Sequence, residues 1–446
     1  MILKLFRKLK KIFNKLIIGK KVNHQLPQIN GKYYDNYFWI KLETDKKTEK
    51  YLRSKEIIPT LIHEYIHFIQ NVSTTFGIIN IAHTYSSIAH FYNAQNKFFP
   101  FKITNHNYLT NQDLLSVSEK TVKSSSYSMT FNKNDPLLQL SYRSKTVTIK
   151  HNLNMTLEEY KIDIQRTKQK TETYYFDVTA IEEGMCRIYE EHLSNTTSNI
   201  YQIPYSLPEI MVRIIYPAFL SRQDFIFALC DISLMYTNPP ELFIKILVQM
   251  KSNSYMPKTI PELYNYCYTN MQIEGDTLIN YWNNTFEEAK KNIKNSFNYD
   301  KIQFAADWIV KTIDFYKNYR LNIPYFLSLP LTLNSTKTLF CICFLMTLNI
   351  SPILVNNKNQ YSALSKVKMT TEEQTALFHF IEIQCMNEFV FNTDGSCCTF
   401  DRICPIFDRC PYALNNPLTK PLIDGQICSF QQNAVSYGLR NLFPTK

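Results

Sequence analysis

Residues 60–70 read TLIHEYIHFIQ. His63 and His67 stand four apart, with Glu64 straight after the first, in the pattern HExxH. On a helix this spacing puts both imidazoles on one face, one turn apart, with the carboxylate beside them. Neutral imidazole nitrogens suit Zn²⁺, and a nearby carboxylate can take a proton from a metal-bound water. Pro59 is tolerated in a first helical turn, Leu61, Ile62, Tyr65, Ile66, Phe68 and Ile69 surround the motif, and no Gly follows until Gly77. The stretch therefore predicts a mostly buried helix carrying a metal site. The competing reading is a core helix whose histidines bond to backbone or carboxylates.

A zinc site that does chemistry takes three protein ligands and leaves a fourth position to water. A third His six residues after His67, with a Gly between, is ruled out by Ser73 and Gln70 in those slots. A glutamate from a later helix remains. Residues 177–193, DVTAIEEGMCRIYEEHL, space Ile181, Met185, Ile188 and Leu193 as a helix does, with Asp177 or Thr179 available as cap. Glu182 has the more apolar helical neighbours, Val178, Met185, Cys186 and Tyr189, which turns it inward, yet Thr179-x-x-Glu182 also reads as a capping box. His83 and His90, on a helical stretch at 78–96, are alternative ligands, though a His on an apolar helix is more often core.

The segment EEGMCRIYEEH resembles the E-G-x-A-x-x-x-E stretch that follows HExxH in the gluzincin metallopeptidases. The resemblance implies Glu183 as third zinc ligand, with Glu182 as the alternative, and Glu64 as general base. It also implies a close helix approach at Gly184 and a small residue where Cys186 stands. The activity it implies is zinc-dependent hydrolysis of a peptide or protein substrate. Its oxyanion would be stabilised from the downstream helical part, by Tyr216, with Tyr205 and His192 also available. The gap from His67 to Glu183 is much longer than in better-known members and requires an insertion. Residues 97–176 fit one: SYSMTFN, LLQLSYR and TVTIKHN read as short strands, followed by a polar helical stretch.

The 446 residues are 45% hydrophobic and 14% aromatic, the balance of a globular chain. Formal net charge is +11, but eight of the 49 Lys and Arg, and no acid, fall in residues 1–21. The remainder is close to balanced, so no nucleic-acid partner is expected. In MILKLFRKLKKIFNKLIIGKK the apolar residues recur at helical spacing with lysines opposite, the pattern of a membrane-surface helix, a partner-docking helix or a secretory signal. The most apolar run, residues 338–355, is interrupted by Asn349 and Pro352 and reads as a buried helix ending before the proline.

Cys186, Cys230, Cys267, Cys341 and Cys343 sit singly on apolar stretches, as reduced core residues of a cytoplasmic protein do, peripheral at a membrane if residues 1–21 bind one. Cys397, Cys398, Cys404, Cys410 and Cys428 cluster near the C-terminus. They suit a second, structural metal on Cys398, Cys404, Cys410 and Cys428, disulfides, or unlinked thiols. The expected fold is mainly α with a small β part, α+β. A basic amphipathic helix (1–22) precedes a zincin-like, mostly helical domain (23–384) with the β-rich insertion at about 97–176, and a Cys-rich subdomain (385–446) closes the chain. Two other functions compete with the peptidase: an inactive zincin-like scaffold, and a membrane-surface helical factor in which HExxH is accidental.

Overall fold

The computed structural model describes residues 30–34, 38–54, 56–95, 129–135, 138–151, 153–165, 171–194, 199–296, 300–348, 351–358 and 361–363. The basic segment 1–21, residues 97–128, and residues 385–446 with Cys397, Cys398, Cys404, Cys410 and Cys428 lie outside them. So does the side chain of His90.

The described part is mainly α with a minor β component. A hairpin of β1 (Gly31–Tyr34) and β2 (Trp39–Leu42) leads into α1 (Ile58–Ser73) and α2 (Thr75–Gln95). Next come β3 (Thr130–Asn132), β4 (Gln139–His151), β5 (Leu153–Gln165) and β6 (Glu172–Phe176), then α3 (Val178–Ser194) and β7 (Ile200–Gln202). A helical run follows: α4 (Leu207–Ile215), α5 (Gln223–Ser233), α6 (Pro239–Ser252) and α7 (Ile260–Asn270). After the two-residue strands β8 (Gln272–Ile273) and β9 (Asp276–Thr277) come α8 (Leu278–Ser296), α9 (Asp300–Asn322) and α10 (Ser335–Leu348). The last described elements are β10 (Ile353–Val355) and β11 (Tyr361–Ala363).

Helix α1 is the axis of the molecule. From Leu61 to Ser73 every residue is buried except His63 and His67. It packs on β1, β2, α2, α3 and α9, which cover its apolar faces and leave the two imidazoles toward an opening. The sheet beside it has the order β1-β2-β10-β11, with β10 parallel to β2 (Ile353 opposite Trp39) and β1 at the edge. As expected, α10 stops short of Pro352.

The insertion departs from its sequence reading. Gln139–Arg143 of LLQLSYR and Thr146–His151 of TVTIKHN fall within one long strand, β4, and the polar stretch after them is strand β5, not helix. Alternation decides this. Ile162 and Ile164 are buried while Lys161 and Asp163 face out, a period of two that no helix supports.

At the end of α1, an ion pair with no exposed surface joins four helices. Arg320 of α9 donates from Nη1 and Nη2 to Asp231 of α5 at 2.7 and 3.0 Å, and from Nη2 to Ser73 Oγ at 2.9 Å. Tyr264 of α7 donates to the same carboxylate at 2.5 Å.

Asp177 caps α3, accepting from the Ala180 N–H at 2.9 Å. Thr179 therefore lies inside the helix, and the capping-box role for Glu182 does not arise. Burial drives the Asp177 carboxyl up to about 6, against the pull of its backbone hydrogen bonds. A folded-state value above the unfolded one means the neutral form is preferred on folding. This contribution is greatest below about pH 4 and is lost as pH rises through about 6. Asp177→Asn, which keeps the cap, is expected to stabilise the protein by about 1–3 kcal/mol at pH 7.5 and by nothing at pH 4. Urea melts at the two pH values check this, and an equal effect at both would refute it.

Candidate metal centre

Helices α1 and α3 bring the candidate residues together. Gly184 lets α3 approach the turn before α4, since a Cβ there would stand 2.7 Å from the Pro208 ring and 3.3 Å from the Tyr205 carbonyl oxygen. Gly31 does the same where β1 crosses α1: a Cβ would meet Thr60 Cγ2 at 2.6 Å and Glu64 Cγ at 3.0 Å. Between these elements lies a cleft of about 500 Å³, lined among others by His63, Glu64, His67, Glu183 and Tyr205.

Glu183 is the carboxylate that reaches both histidines. Its Oε2 is 3.3 Å from His63 Nε2 and its Oε1 is 3.6 Å from His67 Nε2. Glu182 also lines the cleft, and its carbonyl accepts from Gln70 Nε2 at 3.2 Å. Each imidazole is held from behind. His63 Nδ1 bonds Glu190 Oε1 at 3.0 Å and His67 Nδ1 bonds Gln70 Oε1 at 2.8 Å. An acceptor at Nδ1 fixes the proton there and leaves the Nε2 lone pair for a cation. Cys186 adds a thiol, with Sγ 3.6 Å from His67 Nε2 and donating to the His63 carbonyl at 3.5 Å.

The fit to a metal ion can be tested on these distances. Two donors bound at about 2.0–2.1 Å to one tetrahedral ion stand about 3.3–3.4 Å apart. The 3.3 Å from Glu183 Oε2 to His63 Nε2 matches that edge, and the 3.6 Å from its Oε1 to His67 Nε2 is slightly longer. Donor atoms of His63, His67 and Cys186 also lie within 4.8 Å of one another, a group that could hold a metal ion.

The electrostatics call for positive charge. Burial opposes protonation of His63, but hydrogen bonds and charge from Glu183 and Glu190 outweigh it and push its pKa up to about 10. Burial likewise raises Glu183, yet the two histidines bring it below the usual carboxylate range. A proton on His63 and a divalent cation compete for the same place. Glu64 is buried and accepts from the Tyr33 N–H at 2.6 Å; burial raises its pKa beyond what the histidines and that bond recover.

Tyr216 is not brought to this site. It ends α4, does not line the cleft, packs at a tilt against Phe219 and donates to the Tyr255 carbonyl at 3.4 Å. His192 pairs with Thr338 Oγ1 at 2.9 Å and does not line the cleft. His83 is not among the lining residues either, and burial lowers its pKa. The tyrosine in the cleft is Tyr205. Arg187 steadies its turn, donating to Ser206 Oγ at 2.7 Å and to the Ile200 carbonyl at 3.2 Å. Burial first, then Glu183 and Glu190, raise Tyr205 to about 12, so the hydroxyl keeps its proton.

Gln70, Glu190 and Cys186 were not read as site residues from the sequence. Their signal was helical spacing: Gln70 is three after His67, and Cys186 and Glu190 are three and seven after Glu183. All five described cysteines are free thiols, and among the described residues no helix is long and apolar enough to cross a membrane. The chain matches no protein-family model, no curated protein and no solved structure.

Proposed function

We propose that the chain is a zinc-dependent peptidase of the gluzincin type, with His63, His67 and Glu183 as ligands and Glu64 as general base. One observation carries the reading: two imidazole Nε2 atoms and one carboxylate converge on a cleft while each Nδ1 is tied to an acceptor. A satisfied core histidine has no need of such an arrangement. A bound zinc ion supplies a Lewis acid that acidifies water and polarises a carbonyl.

The chain's own residues do the rest. Glu64, fixed by the Tyr33 N–H, takes the proton of the attacking water and returns it to the leaving nitrogen. Tyr205 donates to the oxygen that gains negative charge. Strand β1 pairs with β2 on one side, and the Tyr33 N–H points the other way, to Glu64 in the cleft. An extended peptide can align along Asn30–Tyr33 through main-chain bonds, which makes a peptide or unfolded protein segment the fitting substrate. A second, structural metal at Cys398, Cys404, Cys410 and Cys428, and membrane association through residues 1–21, are proposed from the sequence alone.

Elemental mass spectrometry on the untagged full chain tests the metal. The wild type is expected to hold about one zinc that a His63→Ala/His67→Ala variant loses. A further zinc retained by that variant would belong to the C-terminal cysteines. A wild type that takes up no zinc after reconstitution would sink the peptidase reading.

A further inference from the structure

Gln70 is buried where α1 packs on α3, and its one amide joins both helices. On the α1 side its Oε1 stands 2.8 Å from His67 Nδ1. On the α3 side its Nε2 donates to the Glu182 carbonyl at 3.2 Å and lies 3.3 Å from Met185 Sδ. A carbonyl oxygen and a thioether sulfur only accept, so the amide end facing α3 is the NH2 and the end facing His67 is the oxygen. Turned by half a rotation, the amide would set its oxygen against both acceptors. The imidazole is therefore required to carry its proton on Nδ1, and Nε2, the nitrogen toward Glu183, keeps its lone pair. His63 is fixed differently. Its Nδ1 meets the Glu190 carboxylate, which offers an acceptor whichever way it turns. A neutral amide can present either end to a ring, and here only its contact with α3 decides which.

Resting on the metal-centre reading above, we infer that Gln70 is a positioning residue that makes the metal-binding tautomer of His67 depend on the docking of α3. The residue after Glu182 is Glu183, so the contact that orients the amide also places the carboxylate that reaches both histidines. Without that contact the amide is free to turn and offer its NH2 to Nδ1. The ring proton then moves to Nε2, and that nitrogen is lost as a ligand. Two ligands on different helices are in this way brought into order by one side chain.

Proton NMR of the cobalt(II)-loaded full-length protein reports the ring protons directly. An imidazole bound through Nε2 keeps an Nδ1–H, whose paramagnetically shifted signal is seen only while an acceptor protects it from exchange with water. Two such signals are expected in the wild type, one for each histidine. Gln70→Leu, of similar size but without an acceptor, should lose one of them and bind zinc about 10–100-fold more weakly. Gln70→Glu, which keeps an acceptor, should retain both signals and bind zinc more tightly than Gln70→Leu. A merely structural Gln70 predicts the opposite order, because leucine suits a buried position better than another carboxylate does. Both signals surviving in Gln70→Leu with wild-type zinc affinity would overturn the inference and leave the histidine site standing, and so would the opposite order of the two variants. Visible d–d bands in each variant show that it is folded and loaded. A wild type that binds no cobalt would bring down the metal-centre reading and this inference with it.

Discussion

Glu64→Gln is expected to lower the rate of peptide hydrolysis by about 10²–10⁴-fold while leaving zinc content and melting temperature essentially unchanged. The amide is isosteric and can still accept the Tyr33 N–H bond, so the local packing of β1 on α1 is kept. What is lost is proton uptake. A carboxylate lying buried beside two cleft-lining imidazoles is a stronger base than a solvated one, because burial holds its pKa above the ordinary value. The measurement is hydrolysis of a peptide library by wild type and variant at matched zinc occupancy. A variant as active as wild type would remove Glu64 from the mechanism. A zinc-loaded wild type that cleaves nothing would favour a scaffold that keeps the ion for stability.

Asp231→Ala should destabilise the protein by about 3–5 kcal/mol, which takes away a large part of the stability of an ordinary domain. The ion pair it belongs to has no solvent on either side, and Asp231 supplies both anionic contacts to Arg320. Truncation leaves a buried guanidinium without the carboxylate that, against burial, raises its pKa, and an arginine does not readily shed its charge in a protein. The double variant Asp231→Leu/Arg320→Met should lose less than the single one, because no charge is stranded. Urea unfolding of the three proteins decides it. If the single variant costs under about 1 kcal/mol, the network does not anchor α1. Because Ser73 terminates α1, the variant should also weaken zinc binding at His67 by loosening that helix.

Much of the centre was legible because a helix repeats its side chains at fixed angles. HExxH on an apolar stretch leaves the imidazoles no alternative but a shared face, and from Leu61 to Ser73 α1 is buried everywhere except at those two residues. The choice between Glu182 and Glu183 was harder. Apolar neighbours pointed to Glu182, but it is the partly exposed Glu183 carboxylate of α3 that reaches both histidines across the cleft. Tyr205 could not be selected among thirty tyrosines, since its position comes from a turn tied down by Arg187 and Ser206. Strand β5 was misread because its many charges mask the alternation of Ile162 and Ile164. Main-chain and tertiary contacts settled these points, and a linear pattern does not carry them.

The parallel pairing of β10 with β2 sets an order of events during synthesis. The strand that completes the sheet beside α1 is translated only after all ten helices described here. Until Ile353–Val355 arrive, Trp39 and Ile40 lack the neighbour that covers their outer edge. A nascent chain paused before that point carries HExxH without its finished support, and long-range closure of this kind is slow.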